Sequence, residues 1–536
     1  MTRWRGHPWA VLLTLSLGFF MTLLDLTIVN IAIPSITERL DASLDQVLWV
    51  TNVYTLVLAV LVITGGRLGD LWGKKNLFIA GVIVFTLASL ACGLAQDPVQ
   101  LIAARAVQGV GAAMLMPQTM SIIIGTFPPA RRGAALGVWG AVAGVSTIAG
   151  PTIGGLLVTT LDWRWIFFVN LPIGIAVLAL AVPILHGHTR TVRHRFDVTG
   201  VLLASAALLC LTFALTEGQK YEWAGWIWAL LAAAAVLLGV FLLQQRRMQG
   251  SEPLVPFALF RDRNFAILNF VGATVSIGMI GVFLPMTIYM QSVLGFSALK
   301  AGLVMAPSSV VSMFLAPVAG RLADRIGGRF LLMGGLTLYA VGTLWTLAIA
   351  EVGTPWTAFL PAMILTGIGV GGVFAPMATE ATRNVPPALA GAASGVNNTV
   401  RQVGSVLGGA VVGAVLQSRL ASSLKEQAAD RAGALPADAR EGFVDGFAQA
   451  AKGGLEVGAG QHGAAQQPPA GMPAEVAQRV QDLAGQVFAH GFVDAMKPTM
   501  LVPVVAVLLG AAACLGVRAY KAPAAEPEPE DQAIAR

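Results

Sequence analysis

The feature that most constrains this chain is a series of fourteen apolar segments, each about as long as a helix that crosses a bilayer. Only 12% of the residues are charged, about half the share found in soluble domains. So few polar side chains could not cover a soluble core of this size, and a net charge of +6 is too small for a disordered chain. We therefore expect an all-α, multi-pass membrane protein. The segments cover residues 10–33, 48–68, 77–95, 99–123, 134–158, 165–185, 198–216, 226–245, 265–290, 300–320, 331–350, 357–379, 391–416 and 497–518.

Basic residues in the short loops predict the orientation of these segments. Lys and Arg accumulate on the cytoplasmic side of membrane proteins. If the N-terminus is inside, the inner loops hold about four times as many Lys and Arg residues as the outer ones. Both termini are therefore expected in the cytoplasm. The positive net charge follows from this bias, so we expect no nucleic-acid partner.

A sequence repeat relates the two ends of the chain. Gly66-Arg67-Leu68-Gly69-Asp70 follows the second segment, and Gly320-Arg321-Leu322-Ala323-Asp324 follows the tenth. Gly109-Val110-Gly111 in the fourth segment likewise matches Gly369-Val370-Gly371 in the twelfth. The first six segments thus correspond to the last six, with two inserted between them. Parallel repeats of this kind build one large class of secondary transporters, whose substrates bind at the midplane between the halves.

The repeat and the loops divide the chain into six regions. Within the longest loop, Phe443/Phe447 and Phe488/Phe492 are four residues apart, which predicts two short amphipathic helices. A mostly disordered loop is the alternative. The six regions are an N-terminal six-helix bundle (1–197), two inserted transmembrane helices (198–245), the first five helices of a C-terminal bundle (246–416), an extracellular loop (417–496), the last transmembrane helix (497–518) and a disordered cytoplasmic tail (519–536).

The doubled loop motif resembles the signature of the major facilitator superfamily. The fourteen segments, with the motifs at 24–34, 49–54 and 163–172, resemble the QacA/EmrB-type drug:proton antiporters. This resemblance implies the major facilitator fold, in which two six-helix bundles are related by a pseudo-twofold axis, here with two inserted helices. It also implies a monomer in the plasma membrane that uses the proton motive force and no cofactor.

Charged residues inside membrane segments are candidates for function because they are costly in lipid unless they face a cavity or a partner. Asp25 and Arg105 lie about eight and six residues below the outer ends of their segments, hence at nearly the same depth at ~1.5 Å per residue. The resemblance implies that both helices line the central cavity. We hypothesise that Asp25 takes the coupling proton or meets a cationic substrate, and that Arg105 and Gln108 adjust its proton affinity. A fixed ion pair that only joins helices is the alternative. Asn30, in the same motif as Asp25, is a further candidate.

The second repeat offers two more candidates. Arg401 lies deep in the thirteenth segment among polar residues. It either contacts the substrate or belongs to a structural hydrogen-bond cluster. Glu380 lies at the inner end of the twelfth segment. It is either a second proton site or part of a solvated helix end.

The fifth segment is rich in glycine. Glycines four residues apart let two helix backbones approach closely, and a proline bends a helix. Tight packing alone would explain this pattern, whereas the resemblance implies the antiporter motif, which is found in exporters rather than symporters. The residues concerned are Gly144, Gly150, Pro151, Gly154 and Gly155.

The two loop motifs are candidates for a conformational switch. An aspartate such as Asp70 can face the positive N-terminus of a neighbouring helix. The resemblance implies that it latches the outward-facing state against the thirteenth helix. Leu71 stands where the family usually has a basic residue, whereas Asp324-Arg325 fits the pattern; an ordinary membrane-anchoring role is the alternative for Lys74. The switch candidates are Gly66, Asp70, Gly73, Lys74, Asp324 and Arg325.

Three functions compete on these observations. The first is a proton-coupled exporter of amphipathic or cationic small molecules such as antibiotics, and the second is an uptake symporter on the same fold. The third is a membrane enzyme or receptor. The sequence contains no Gly-Lys-Ser/Thr phosphate loop, so we expect no ATP-driven pump. It has no HExxH motif and no convergent set of nucleophile, base and metal ligands, so we expect neither a metal site nor an enzyme.

Overall fold

The computed structural model describes residues 6–42, 44–186, 197–218, 221, 223–250, 253–386, 389–435, 437–452 and 474–518, and these residues form helices joined by short connections. The first half contains α1 (Pro8–Leu40), α2 (Leu44–Trp72), α3 (Lys74–Leu94), α4 (Pro98–Thr126), α5 (Pro129–Thr160), α6 (Trp165–Phe168) and α7 (Asn170–Ile184). The inserted pair is α8 (Val198–Glu217) and α9 (Gly225–Arg247). The second half contains α10 (Ala258–Arg261), α11 (Arg263–Ile288), α12 (Ala298–Ile326), α13 (Arg329–Ile349), α14 (Leu360–Gly371), α15 (Phe374–Thr382), α16 (Ala390–Ala432), α17 (Ala437–Lys452), α18 (Ala474–Thr499) and α19 (Leu501–Ala513).

Thirteen helical segments within the described residues are long and apolar enough to cross a membrane. The fifth predicted segment is not among them, because several side chains of α5 lie outside the described part of the structure. It is nevertheless a helix of 32 residues that packs against both α1 and α12. The architecture is that of an all-α, multi-pass membrane protein, as the sequence predicts.

Several helices differ in their bounds from the predicted segments. The sixth segment breaks at Val169 into α6 and α7, and the twelfth breaks at Gly372 and Val373 between α14 and α15. The thirteenth does not end at residue 416 but continues to Ala432 as part of α16. This happens because apolar residues recur every four positions beyond residue 416 and form one buried face: Leu416, Leu420, Leu424, Ala428 and Ala432.

The region predicted as an extracellular loop is helical over its described residues. The end of α16 packs against α17 and α18 around an apolar core that includes Leu424, Phe443, Phe488 and Phe492 and continues into α11 to α14. Each phenylalanine pair forms a ring contact, with centroids 5.1 Å and 5.9 Å apart. Residues 453–473 of that region and the tail at 519–536 lie outside the described residues.

The inserted helices attach to the first half beside α2. Asn52 Nδ2 of α2 donates a hydrogen bond of 3.4 Å to Glu217 Oε1 at the end of α8. At the opposite end of α8, Asp197 accepts hydrogen bonds from Gln244 and Gln245 of α9 at 2.9 and 2.6 Å. The pair is thus joined at one end and held to the first half at the other.

The two halves contact each other reciprocally through the second and fifth helices of each repeat. A methyl group at Gly66 of α2 would lie 2.9 Å from the carbonyl oxygen of Gly391 in α16. A methyl group at Gly137 of α5 would lie 2.7 Å from the carbonyl oxygen of Ala316 in α12. Both distances are shorter than the normal contact between a carbon and an oxygen atom, so glycine is required at these helix crossings. Matching contacts on both sides are what two halves related by a twofold axis would make.

Candidate functional site

Asp25 lies in the interior of the first half, where it forms an ion pair with Arg105. Both side chains are almost completely buried, at 0% and 1% exposed. Gln108, one turn after Arg105 on α4, donates a 2.9 Å hydrogen bond from Nε2 to Asp25 Oδ1 and accepts a 2.8 Å hydrogen bond from Arg105 Nη1. The structure therefore brings together Asp25 and Arg105, which the sequence places at nearly the same depth, with Gln108 one turn further along α4.

A fourth side chain, Asn170, completes the group around Asp25. It begins α7, is fully buried, and donates from Nδ2 to Asp25 Oδ1 at 3.2 Å and to Ser89 Oγ at 3.0 Å. Ser89 in turn donates to the carbonyl oxygen of Phe167 at 2.9 Å. Asp25 thus accepts hydrogen bonds from Arg105, Gln108 and Asn170, which is a well-satisfied arrangement for a buried carboxylate.

Arg105 has partners besides Asp25. Its Nε donates to the backbone carbonyl of Val50 in α2 at 3.0 Å, and its Cζ lies 4.3 Å from the centre of the Tyr54 ring. A guanidinium over an aromatic face gains a cation–π interaction. The positive charge of Arg105 is therefore supported by α2 as well as by Asp25.

We refer to Asp25, Arg105, Gln108 and Asn170 as the acid network. Its charges sum to zero, and its members come from α1, α4 and α7 of the first half alone. The cationic partner of Asp25 in this structure is Arg105, and contact of Asp25 with a cationic substrate stays a prediction. The candidate Asn30 lies in α1, but its side chain is outside the described part of the structure.

Glu380 is buried rather than solvated, so the alternative of a solvated helix end is wrong. It is 2% exposed. Its Oε1 accepts a 2.6 Å hydrogen bond from the backbone N–H of Gly328 just before α13 and lies 3.0 Å from Arg383 Nη2. A carboxylate at the N-terminus of a helix stabilises that end. Glu380 therefore joins α15 to α13.

Arg401 lies on α16, in the second half and away from the acid network. Its Cζ is 5.2 Å from the centre of the Phe374 ring. One turn earlier, Asn397 Nδ2 donates to Asn269 Oδ1 at 3.4 Å, so a structural hydrogen-bond pair does exist nearby. The buried Nε of Arg401 has no hydrogen-bond partner among the described residues, and that atom therefore takes no part in this cluster.

The two aspartates of the repeated loop motif each lie at the start of the fifth helix of the opposite half. Asp324 accepts hydrogen bonds from the backbone N–H groups of Gly133 (3.0 Å) and Ala134 (3.2 Å) in the second turn of α5. The carboxylate of Asp70 lies directly against Gly391 in the first turn of α16. Helix N-termini attract negative charge, so each aspartate is placed to hold the halves together. We call these two contacts the paired latches.

The basic residues around the latches differ from the pattern that the resemblance implies. Arg325 is exposed, and it is Arg383 that binds beside the second motif, donating from Nη2 to the carbonyl oxygen of Ala323 at 3.1 Å. In the first motif, Lys74 Nζ lies 3.8 Å from Asp70 Oδ1. Gly73 has a φ of +90°, a conformation that side chains rarely adopt, and it lets α3 begin immediately after α2.

The glycines of α5 permit close packing against α1. A methyl group at Gly150 would lie 2.6 Å from Thr27 Cβ, and one at Gly154 would lie 2.8 Å from Ile28 Cγ1. Among the described residues, no atom of a neighbouring element lies within 4 Å of a methyl group at Gly155. Gly144 and the side chain of Pro151 lie outside the described part of the structure. Tight packing therefore accounts for two glycines of the motif.

The Gly150→Ala variant is expected to force α1 away from α5, because the new methyl group would overlap Thr27. Overpacking of this kind typically costs about 1–3 kcal/mol of unfolding free energy. The Gly155→Ala variant is the matched control, since its methyl group has room and alanine favours helices. Thermal unfolding of the purified proteins measures the difference, and an equal melting temperature for both variants would contradict this packing.

Sequence reasoning missed Asn170, Ser89 and Tyr54. Asn170 was visible as the polar residue in the apolar motif at 163–172, and Tyr54 lies in the motif at 49–54. Ser89 stands alone in the third segment without a motif. Its role depends on the rotation of α3 relative to α7, which periodicity does not reveal.

Comparisons with known proteins agree with this architecture. The family model described as Major Facilitator Superfamily matches residues 15–409. An uncharacterised MFS-type transporter of Mycobacterium tuberculosis is 43% identical over 422 residues, covering 78% of this chain and 72% of the relative. The tetracenomycin C resistance and export protein of Streptomyces glaucescens is 36% identical over 418 residues, covering 78% and 77%. The crystal structure of the human organic anion transporter MFSD10 (TETRAN) aligns with a TM-score of 0.57 at 11% identity, covering 94% of this chain and 99% of that one, so it is similar in fold. From the family model and these relatives, the chain belongs to the major facilitator superfamily.

Proposed function

We propose that this protein is a proton-coupled exporter that expels amphipathic small molecules such as antibiotics by alternating access. The observation that carries the proposal is the buried acid network, in which one carboxylate lies where α1 packs closely on α5. The similarity to an export protein for tetracenomycin C supports export as the direction. The superfamily consists of transporters, and we propose that this member catalyses no reaction and needs no cofactor.

The proton acts first on the pairing of Asp25 and Arg105. When Asp25 takes a proton it loses the charge that binds Arg105, while Gln108 and Asn170 can still donate to its oxygens. The guanidinium keeps its contacts with Val50 and Tyr54 of α2. Protonation therefore loosens α1 from α4 without leaving Arg105 unsupported.

Helix α5 can carry this change to the latches. Thr27 and Ile28, two and three residues after Asp25, pack against Gly150 and Gly154 of α5. The opposite end of α5 carries Gly133, which Asp324 binds. Seventeen residues of helix separate Gly133 from Gly150, a distance of about 25 Å. A shift of α1 on α5 would thus reach the Asp324 contact, one of the paired latches, whose opening lets the two halves rock.

The proton gradient is large enough for this work. Moving one charge across a potential of about 150 mV supplies about 3.5 kcal/mol. That free energy sustains a substrate gradient of roughly a few hundredfold. One titrating carboxylate is therefore sufficient to drive export.

We further propose that the protein works as a monomer in the plasma membrane with both termini in the cytoplasm, and that its partners are its substrate, protons and lipid. An uptake symporter is the second candidate on this fold. No residue contact described above favours it, whereas the glycine packing of α1 on α5 falls within the motif that the resemblance assigns to exporters.

The direction of transport tests the proposal. The gene is expressed in a host that lacks its own efflux pumps, and a panel of antibiotics identifies the compound for which resistance rises most. That compound is then supplied to inverted membrane vesicles from the same cells. Acidifying the vesicle interior is expected to drive its accumulation inside. Accumulation in intact cells instead, abolished by a protonophore, would show an uptake symporter.

A further inference from the structure

Arg401 of α16 carries a positive charge for which the described part of the chain supplies no ion pair. Arg105, the other arginine deep in the membrane region, is paired with Asp25. The buried Nε of Arg401, by contrast, has no hydrogen-bond partner there. A buried polar atom without a partner is costly, so this Nε calls for an explanation.

Arg401 is only partly buried, and its described neighbours come from α11 and α15. Its stem packs on α11, where a methyl group at Gly272 would lie 3.5 Å from Arg401 Cγ. The guanidinium itself lies over the ring of Phe374 in α15. Asn397, the nearest buried amide on the same helix, is engaged with Asn269. The guanidinium therefore has an aromatic neighbour but no anionic one among these residues.

Arg401 also lies at the boundary between the two halves. Ser394, two turns earlier on the same face of α16, donates to the carbonyl oxygen of Pro117 in α4 at 3.0 Å. Phe374 lies 3.4 Å from the position of a methyl group at Gly140 in α5. The guanidinium thus sits about 10 Å along α16 from the point where the halves touch. This is the region in which secondary transporters with parallel repeats bind their substrates.

We propose that Arg401 binds a carboxylate on the transported molecule, and that the ring system bearing this carboxylate packs against Phe374. The proposal rests on the proposed function and narrows its substrates to amphipathic aromatic acids. A guanidinium binds a carboxylate through two parallel hydrogen bonds, and such an anion would supply the partner that the described residues lack. A cationic group would be repelled at the same position.

The test compares two ligands of equal shape, anthraquinone-2-carboxylate and its primary amide, by calorimetric titration of the full-length protein in detergent. The wild-type protein is expected to bind the carboxylate about 10- to 100-fold more tightly than the amide, as a charge-assisted hydrogen bond provides. The Arg401→Gln variant should lose this preference while its affinity for the amide changes little. Arg419→Gln, an exposed position on the same helix, is the control and should keep the wild-type preference.

Folding is checked by thermal unfolding, and Arg401→Lys, which keeps the charge, is expected to retain part of the preference. A wild-type protein without the preference, including one that binds neither ligand, would overturn the proposal. So would a preference that survives in Arg401→Gln. Titration in detergent needs no gradient, so a failure here is distinct from a failure of proton-driven export, which the vesicle experiment reports separately.

Discussion

The Asp25→Asn variant is expected to lose proton-driven export against a gradient, because the proton no longer supplies free energy. The substrate concentration ratio that it sustains should fall at least about 100-fold, from roughly a few hundredfold towards one. Asparagine keeps the size of the side chain and can still accept hydrogen bonds from Gln108 and Asn170, but it neither takes up nor gives up a proton. Transport into proteoliposomes under an imposed pH gradient measures the effect, with the compound identified by the resistance panel.

Glu380→Gln provides the matched control for this experiment. Glu380 is also a buried carboxylate beside an arginine, yet it caps α13 and has no contact with the acid network among the described residues. We expect this variant to keep most of the uphill rate. If Asp25→Asn still exported substrate uphill like the wild type, the proton site would lie elsewhere. The same would follow if only Glu380→Gln lost uphill export.

The Arg105→Gln variant is expected to be the most destabilising single change in the acid network. Removing one partner of a buried ion pair leaves an uncompensated charge, here on Asp25, and such changes cost about 3–5 kcal/mol of unfolding free energy. The double variant Asp25→Asn/Arg105→Gln removes both charges and should regain most of that loss. Thermal and denaturant unfolding of the three variants gives the coupling free energy between the two residues.

Arg164→Gln is the control for this cycle. Its guanidinium lies 3.7 Å from Asp162, and both side chains are about 30% exposed. Ion pairs of this kind contribute at most about 1 kcal/mol. Arg164 Nη2 also donates to the carbonyl oxygen of Ala95 at 3.0 Å, so the variant should lose some stability but clearly less than Arg105→Gln. If the double variant were no more stable than Arg105→Gln, the two charges would not depend on each other.

Much of the fold could be predicted because its main determinant is local in sequence. A run of about 20 apolar residues predicts a membrane helix wherever it occurs, and the repeated loop motif predicts which helices correspond. The continuation of α16 beyond residue 416 was missed because residues 417–432 are more polar than a membrane segment. Their apolar positions form a face that α17 and α18 cover, and this pairing is not visible from one helix alone.

The candidate site could be predicted only in part, for a similar reason. Their equal depth in the membrane predicted that Asp25 and Arg105 lie together, and Gln108 was included because it follows Arg105 by one helical turn. Depth does not give the rotation of each helix, so Asn170 and Ser89 were not placed beside Asp25. For the same reason the sequence could not show that Arg105 has a carboxylate partner whereas Arg401 has none among the described residues.

Proton release on substrate binding tests the central claim most directly. The purified protein is placed in a weakly buffered detergent solution, a saturating amount of the exported compound is added, and the change in pH is recorded. When the starting solution is acidic enough for Asp25 to hold the coupling proton, the account predicts that the wild-type protein releases about one proton for each molecule of bound substrate, and that Asp25→Asn binds substrate without releasing any. Equal proton release by the wild-type protein and Asp25→Asn would contradict it.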